Sequence, residues 1–269
     1  MNEDIRTGDV TTESIFPEIG AWSHGTFIAK QHGIICGLSV ARMVFQIISD
    51  NRITWTNHAQ DGDIIEPGMV LAQLDGEARD LLSGERTALN FMQRMSGVAT
   101  LTAQYVDAIK GTGARILDTR KTIPGWRELD KYAVRTGGGS NHRMGLYDMA
   151  MIKDNHIAAA GGIPEAIRFC REYMPEGIPI EVEADSIQDV IEILSCGNIQ
   201  RILFDNFTIE QTKAALALVN GAVETESSGN ITLNTIREYA NTGVDFISVG
   251  AITHSATALD ISLDISLPS

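Results

Sequence analysis

Cysteine, basic charge and long apolar runs are all scarce in this chain, and each scarcity closes off a class of function. The three cysteines among 269 residues, Cys36, Cys170 and Cys196, are odd in number and far apart. They make neither a disulfide framework nor a CxxC metal or redox pair, a pattern that fits a reducing cytoplasm. Lysine and arginine number 21 against 35 acidic side chains, for a net charge of −14. A nucleic-acid partner would need the opposite sign, so none is expected. No apolar run approaches the roughly 18 residues of a membrane span, and the polar N-terminus MNEDIRTGDVTTESIF has no signal-peptide core, so no membrane partner is expected either. The six histidines, at 24, 32, 58, 142, 156 and 254, form no HxH of the kind a metal-dependent barrel hydrolase or aldolase would use. A GxGxxG after a first strand is also missing.

What is present suits a packed globular protein. Hydrophobic residues make up 43% of the chain, enough for one large domain or a barrel with a smaller domain attached. From about Gly25 to Leu82, short strand-like runs (TFIAK, GIICG), a helical LSVARMVFQII and the turn signals DGD, EPG and LDGE read as an α+β sandwich-like piece. Ala88, Met92, Met95, Ala99, Val106 and Ile109 then recur near a 3.6-residue period and predict one long helix linking the halves, in which Gly97 bends the helix or admits a close neighbour.

After Ala114 the rhythm changes. ARILDT, MAMIKD, IPIEVEAD, IQRILFDN, AVETESS and VDFISVG read as strands, separated by helical segments such as PEAIRFCREYM and IEQTKAALALV. Thr208 with Gln211 forms a capping box, and Ser186 opens another helix. Strand and helix alternating about six times predict a parallel sheet, so the fold class is α/β: an N-terminal α+β sandwich-like domain over 1–112, with the linking helix, and an incomplete parallel α/β barrel over 113–269. The C-terminal tail is expected to pack back on the N-terminal domain.

In such a barrel the C-terminal ends of the strands build the active site. DTRKT, KDNH, EVEAD, FDNF, ESSGN and SVGAITH follow the six runs and would converge on one mouth. Between Arg115 and His156, eight basic side chains face five acidic ones, a local +3 within an acidic chain. Arg127, Glu128, Asp130 and Lys131 read as solvated helix-surface charges. Arg120, Lys121, Arg143 and Lys153 abut turns or strand ends and suit carboxylate or phosphate, while Ser228, Gly229 and Gly250 offer bare N–H groups ahead of helices. Glu183 and Asp205 would face a metal, ribose hydroxyls or a centre that gains positive charge. Together these suit phosphoribosyl chemistry. The triple glycine of RTGGGSNHRMG reads first as a phosphate loop, then as a tight turn that delivers His142 and Arg143.

The runs GERTALNFMQRMSGVAT, DTRKTIPGWRELDKYAVRTGGGSNHRMGL, MIKDNHI, EVEADS, LFDNF, ESSGNIT and SVGAITHS resemble those of nicotinate-nucleotide pyrophosphorylase (carboxylating), also called quinolinate phosphoribosyltransferase. The resemblance covers nearly the whole chain. Thr136, where relatives often have Cys, and Trp126, where Leu is commoner, depart from it without touching the assigned residues. It implies a homodimer at least, converting quinolinate and phosphoribosyl pyrophosphate with Mg²⁺ in NAD biosynthesis, in which the N-terminal domain of one subunit closes the barrel of its partner; the cytoplasmic location expected for it rests on the cysteines. It implies that Arg86 acts across that interface, and that Arg120, Lys121, His142 and Arg143 hold the quinolinate carboxylates, with Thr119 also among the substrate-binding residues. Lys153 would lie near the pyrophosphate or the reacting carbons, with Lys121, Lys153, Glu183 and Asp205 catalytic. Glu183 and Asp205 would bind ribose and Mg²⁺, and Ser228, Gly229, Gly250 and His254 the 5-phosphate. Alternation along IEVEAD puts Glu181 and Glu183 on one face, and Glu183 is taken as nearer the strand end. The alternatives are a related protein of molybdate-transport operons, which typically lacks KDNH, and a non-catalytic phosphate-ligand sensor, which would have lost Glu183 or Asp205.

Overall fold

The computed structural model describes residues 1–17 and 21–266. Helices α1 (Val10–Ile15) and α2 (Leu38–Ile48) and strands β1 (Trp22–Ala29), β2 (Gly33–Ile34), β3 (Thr54–Asn57), β4 (Ile64–Ile65) and β5 (Val70–Glu77) lead into the long α3 (Ala78–Ala108). Strand and helix then alternate through β6 (Arg115–Leu117), α4 (Arg127–Thr136), β7 (Ala150–Ile152), α5 (Asp154–Ala160), α6 (Ile163–Tyr173), β8 (Ile180–Ala184) and α7 (Ile187–Cys196). They continue through β9 (Arg201–Asp205), α8 (Ile209–Val219), β10 (Glu224–Ser228), α9 (Ile236–Ala240), β11 (Phe246–Ser248) and α10 (Ala251–His254), and β12 (Ile261–Ser266) closes the described chain. Among the described residues no helix is long and apolar enough to cross a membrane.

Two compact units result. The first takes the described residues through Leu101, Arg135–Gly137 and the C-terminal residues from Ala256, and the second takes Thr102–Val134 and Gly138–Ser255. The division therefore falls inside α3 and not at 112/113, because Ala88, Leu89 and Met92 pack in the first core whereas Thr102 and Val106 lie against Gly139 and Gly138 of the second.

In the first unit an antiparallel sheet of order β12-β1-β5-β3 pairs Phe27 with Leu263 and with Ala72. Alternation along β1 buries Phe27 against Phe45 of α2 and Trp55 of β3, at ring-centroid separations of 6.1 and 5.6 Å. Full burial of such a side chain is worth about 1.5–3 kcal/mol. Gly97 meets a close neighbour: a Cβ there would lie 2.1 Å from the Thr257 carbonyl oxygen, so the helix admits the C-terminal tail only without a side chain. Cys36 is buried, its N–H donates to Ser96 Oγ at 2.9 Å, and burial pushes its thiol up to about 12.

In the second unit all six strands are parallel, in the order β6-β11-β10-β9-β8-β7. Consecutive β6 and β7 lie at the two edges, so the barrel is open between them, the incomplete α/β barrel expected from the sequence. Val182, Ala184, Ile202 and Phe204 point to the helix side and share a core with Ile167, Val190, Ile193 and Ala215. Ser186 Oγ accepts from Asp189 N–H at 3.2 Å, and Thr208 and Gln211 exchange bonds of 3.2 and 2.9 Å, so these helices begin where the capping residues stand.

Candidate active site

Alternation in the strands that turns Val182, Ile202 and their neighbours outward turns Glu181, Glu183, Arg201, Leu203, Asp205, Glu224, Glu226 and Ser228 inward. Glu183, Asp205 and Ser228 stand at or near the C-terminal ends of β8, β9 and β10. They line a cavity of about 320 Å³ in the second unit. Thr119, Arg120 and Lys121 reach it from the end of β6, His142 and Arg143 from the loop after α4, and Lys153 from the end of β7. Met151, Leu203, Glu226 and Ser248 complete the lining.

The loop carrying His142 and Arg143 runs along the open edge of the barrel. Gly138 has φ +86° and Gly139 N–H returns to Val134 O at 3.0 Å, a glycine C-cap ending α4. Ser140 N–H then donates to Ile116 O (2.8 Å) and Ser140 O accepts from Asp118 N–H (3.2 Å), a one-residue parallel bridge to β6. A Cβ on Gly139 would lie 2.8 Å from Thr102 Cγ2 and 2.9 Å from Val134 Cγ1. The glycines thus serve a turn and a close approach. Beyond Arg143, the Asp148 carboxylate accepts from Met144 N–H (2.7 Å) and Gly145 N–H (2.9 Å); burial works against its charge, but those bonds hold it below the usual carboxylate range.

Within the cavity, cations and anions separate. The Arg143 guanidinium donates to Met149 O at 3.0 Å, and both burial and the nearby Arg120 disfavour its charge. Among the described residues Arg120, Lys121 and Arg143 have no side-chain ion pair within the salt-bridge distance, so they form a cluster of cations open to an anion. On the acidic side Glu183, Asp185 and Asp205 have carboxylate oxygens within 4.8 Å of one another. Burial and then the charges of Glu183 and Asp185 push Asp205 up, while the ammonium of Lys153, paired with Glu183, opposes the rise. Three clustered hard oxygen donors suit Mg²⁺.

Beneath the mouth lies a charged layer that the sequence reading left out. The His142 ring faces Glu181 at 2.9 Å and Glu226 at 3.4 Å, and Arg201 bonds Glu226 and Glu224, each at 2.9 Å, while stacking 3.9 Å from the centroid of Phe246. Burial disfavours the imidazolium, but the two carboxylates outweigh it and lift His142 to about 9. Arg143 N–H lies 2.7 Å from His142 Nδ1, a bond that only the neutral ring can accept, so this contact opposes the imidazolium that the glutamates favour. Glu181 is thus fully buried below the cavity, and Glu183 lines it. Glu226 was legible from the same alternation, two residues before Ser228.

Other expected residues lie outside the lining. Gly229 (φ +94°) has no room for a side chain, since a Cβ would lie 2.2 Å from Asn206 Oδ1. Gly250 abuts Lys121 Cδ and His254, at 2.9 and 3.3 Å from its missing Cβ. His254 is exposed and bonds Ser255 Oγ at 2.7 Å. Arg86 is exposed on α3 in the first unit. The expectation that Asp130 and Lys131 are solvated is overturned: both are buried, Lys131 completely, because the loop past Gly139 covers that face of α4. Arg127 is half-buried and donates to Met144 O at 3.2 Å, and Glu128 is exposed as expected.

Residues 9–96 match the family model of the quinolinate phosphoribosyl transferase N-terminal domain, and residues 98–264 that of its C-terminal domain. The chain is similar to a probable nicotinate-nucleotide pyrophosphorylase (carboxylating) of Bacillus subtilis, 44% identical over 98% of this chain and 90% of that one. It is equally similar to the mitochondrial quinolinate phosphoribosyltransferase (decarboxylating) 2b of Nicotiana tabacum, 44% identical over 98% of this chain and 80% of that one. The structure aligns with NadC from Streptococcus pyogenes at a TM-score of 0.95 and 39% identity, covering 100% of this chain and 94% of that one. With both domain models matched in order along the chain, this protein belongs to the quinolinate phosphoribosyltransferase family.

Proposed function

We propose that this chain transfers the phosphoribosyl group of phosphoribosyl pyrophosphate to quinolinate with loss of CO₂, giving nicotinate mononucleotide and pyrophosphate in NAD biosynthesis. One observation carries the reading: a cationic cluster of Arg120, Lys121 and Arg143 shares a single cavity with the acidic Glu183 and Asp205, and Lys153 pairs with Glu183 in it. A dicarboxylate and a sugar carrying pyrophosphate need that combination.

In this reading Thr119, Arg120, Lys121, His142 and Arg143 hold the two ring carboxylates and aim the pyridine nitrogen at the anomeric carbon. As the new C–N bond forms, the C–O bond to pyrophosphate breaks, and Glu183 and Asp205 stabilise the positive charge on the ribose. Lys121 and Lys153 neutralise charge on the leaving group and around the reacting carbons. When CO₂ departs, the C–C bond pair stays on C2 as an ylide stabilised by the adjacent, now cationic, ring nitrogen, and a proton from water adds to C2 to complete the product. No covalent nucleophile is needed, consistent with free cysteines that serve packing. Ser228, Gly229, Gly250 and His254 take the 5-phosphate.

Glu183 and Asp205, with Asp185 beside them, would hold Mg²⁺ through carboxylate oxygens. When bound, that ion would neutralise pyrophosphate oxygens. The exposed Arg86 is assigned to the site of the partner subunit in a homodimer, and the odd, unpaired cysteines favour a cytoplasmic setting. Neither the molybdate-operon protein nor the phosphate sensor is favoured, since the KDNH run, Glu183 and Asp205 are intact and the similar proteins are a quinolinate phosphoribosyltransferase and a probable nicotinate-nucleotide pyrophosphorylase.

The test is direct: purified protein, quinolinate, phosphoribosyl pyrophosphate and Mg²⁺ should yield nicotinate mononucleotide and CO₂. No product at high enzyme concentration sinks the reading, and turnover that survives excess EDTA removes Mg²⁺ from it.

A further inference from the structure

Asp118 and Lys131 have no part in the roles above, yet their side chains are completely buried. They sit thirteen residues apart, at the end of β6 and within α4. Lys131 Nζ donates to Asp118 Oδ1 and, at 3.0 Å, to His142 O. The same Asp118 oxygen accepts from His142 N–H at 2.8 Å. Asn141 Nδ2 donates to the other Asp118 oxygen and to Lys131 O at 2.9 Å. The N–H and the C=O of His142 are therefore both held by one ion pair.

Stability is a poor explanation for that arrangement. Taking two charges out of water costs about as much as their attraction returns, and an apolar pair of similar size would hold helix to strand as well. An apolar pair could not bond a peptide N–H and the C=O of the same residue. The functional reading places that residue and the next, His142 and Arg143, against a substrate carboxylate, on a loop whose isolated backbone bridge to β6 is at Ser140. Chemistry that depends on a near-attack geometry is sensitive to shifts of about 1 Å.

We propose that Asp118 and Lys131, with Asn141, are positioning residues for the dicarboxylate site: they clamp the His142 peptide and thereby fix where Arg143 meets the substrate. The inference rests on the functional reading above. Removing one charge alone leaves its partner buried and unpaired, so the test replaces both by apolar residues of similar size, as Asp118→Leu with Lys131→Met. The expected double variant is folded by circular dichroism, with its KM for quinolinate raised at least about tenfold and its KM for phosphoribosyl pyrophosphate within about twofold of wild type. Hydrogen exchange at the His142 amide should be faster than in wild type. A folded double variant with an unchanged quinolinate KM, or with both KM values raised alike, overturns the proposal. If the double variant does not fold, Asn141→Ala takes its place and should raise the quinolinate KM selectively; no selective rise overturns the proposal there too. If wild-type protein converts no quinolinate, the functional reading has failed. The clamp is then judged by exchange alone: a His142 amide protected in wild type and exposed in the variant supports it, and equal exchange overturns it.

Discussion

Arg143 and Asp205 line the same cavity, and the proposed function gives them different partners, so their variants should fail differently. Arg143→Ala removes charge-assisted bonds to the dicarboxylate worth about 1.5–3 kcal/mol, roughly a 10- to 150-fold rise in the quinolinate KM with a smaller effect on kcat. Asp205→Ala should chiefly lower kcat. Equal effects of both variants on both constants would remove the roles given. His142 adds a pH dependence. Its folded pKa of about 9 lies above the free-histidine value, so the stability it contributes is complete below about pH 6.5 and is lost as pH rises through about 9. Thermal midpoints measured across that range should fall toward alkaline pH, and His142→Asn should flatten the fall. A wild-type profile already flat would show that the Arg143 N–H keeps the ring neutral throughout.

At the scale of one element, the loop from Gly137 to Arg143 is where sequence and geometry meet most closely. The three glycines are not equivalent: the positive φ belongs to Gly138, and the crowding against Thr102 and Val134 to Gly139. Gly138→Val places a β-branched side chain in the left-handed region at a cost of roughly 1–2 kcal/mol and should raise the quinolinate KM by displacing His142 and Arg143. Gly138→Asn, which tolerates that region, should stay close to wild type in melting and kinetics. A valine variant that matched the asparagine one would show that the backbone angle is not the reason for glycine here.

Across the whole molecule, the acidic chain gathers Arg120, Lys121, Arg143 and Lys153 in one cavity, and Arg86 lies exposed in the other unit. If Arg86 serves the partner's barrel, Arg86→Ala and Asp205→Ala proteins, each inactive alone, should regain activity when refolded together. Random pairing makes half of the dimers mixed, each with one intact site, or about a quarter of wild-type activity. Activity that stays at the level of the separate variants would place Arg86 outside a shared site.

The sequence alone determined the alternation of strand and helix, the incomplete barrel and the strand ends that supply Arg120, Lys153, Glu183 and Asp205, because period-2 and period-3.6 patterns are local and polar strand ends stand out against apolar runs. It also determined the helix starts at Ser186 and Thr208, where the cap is written in the side chain itself. The short α5 and α10 escaped notice because a turn or two of helix carries no period, and β12 because the strand it pairs with, β1, lies more than two hundred residues earlier. Only the tertiary structure decided that Lys131 is buried, since on the helix by itself RELDKYAVRT is a charged surface. What makes it an interior residue is the loop folded over it and the Asp118 carboxylate beside it, contacts that no local pattern encodes. The same holds for Glu181, Glu226 and Arg201, whose inward direction follows from alternation but whose pairing with one another and with His142 depends on which strands lie side by side.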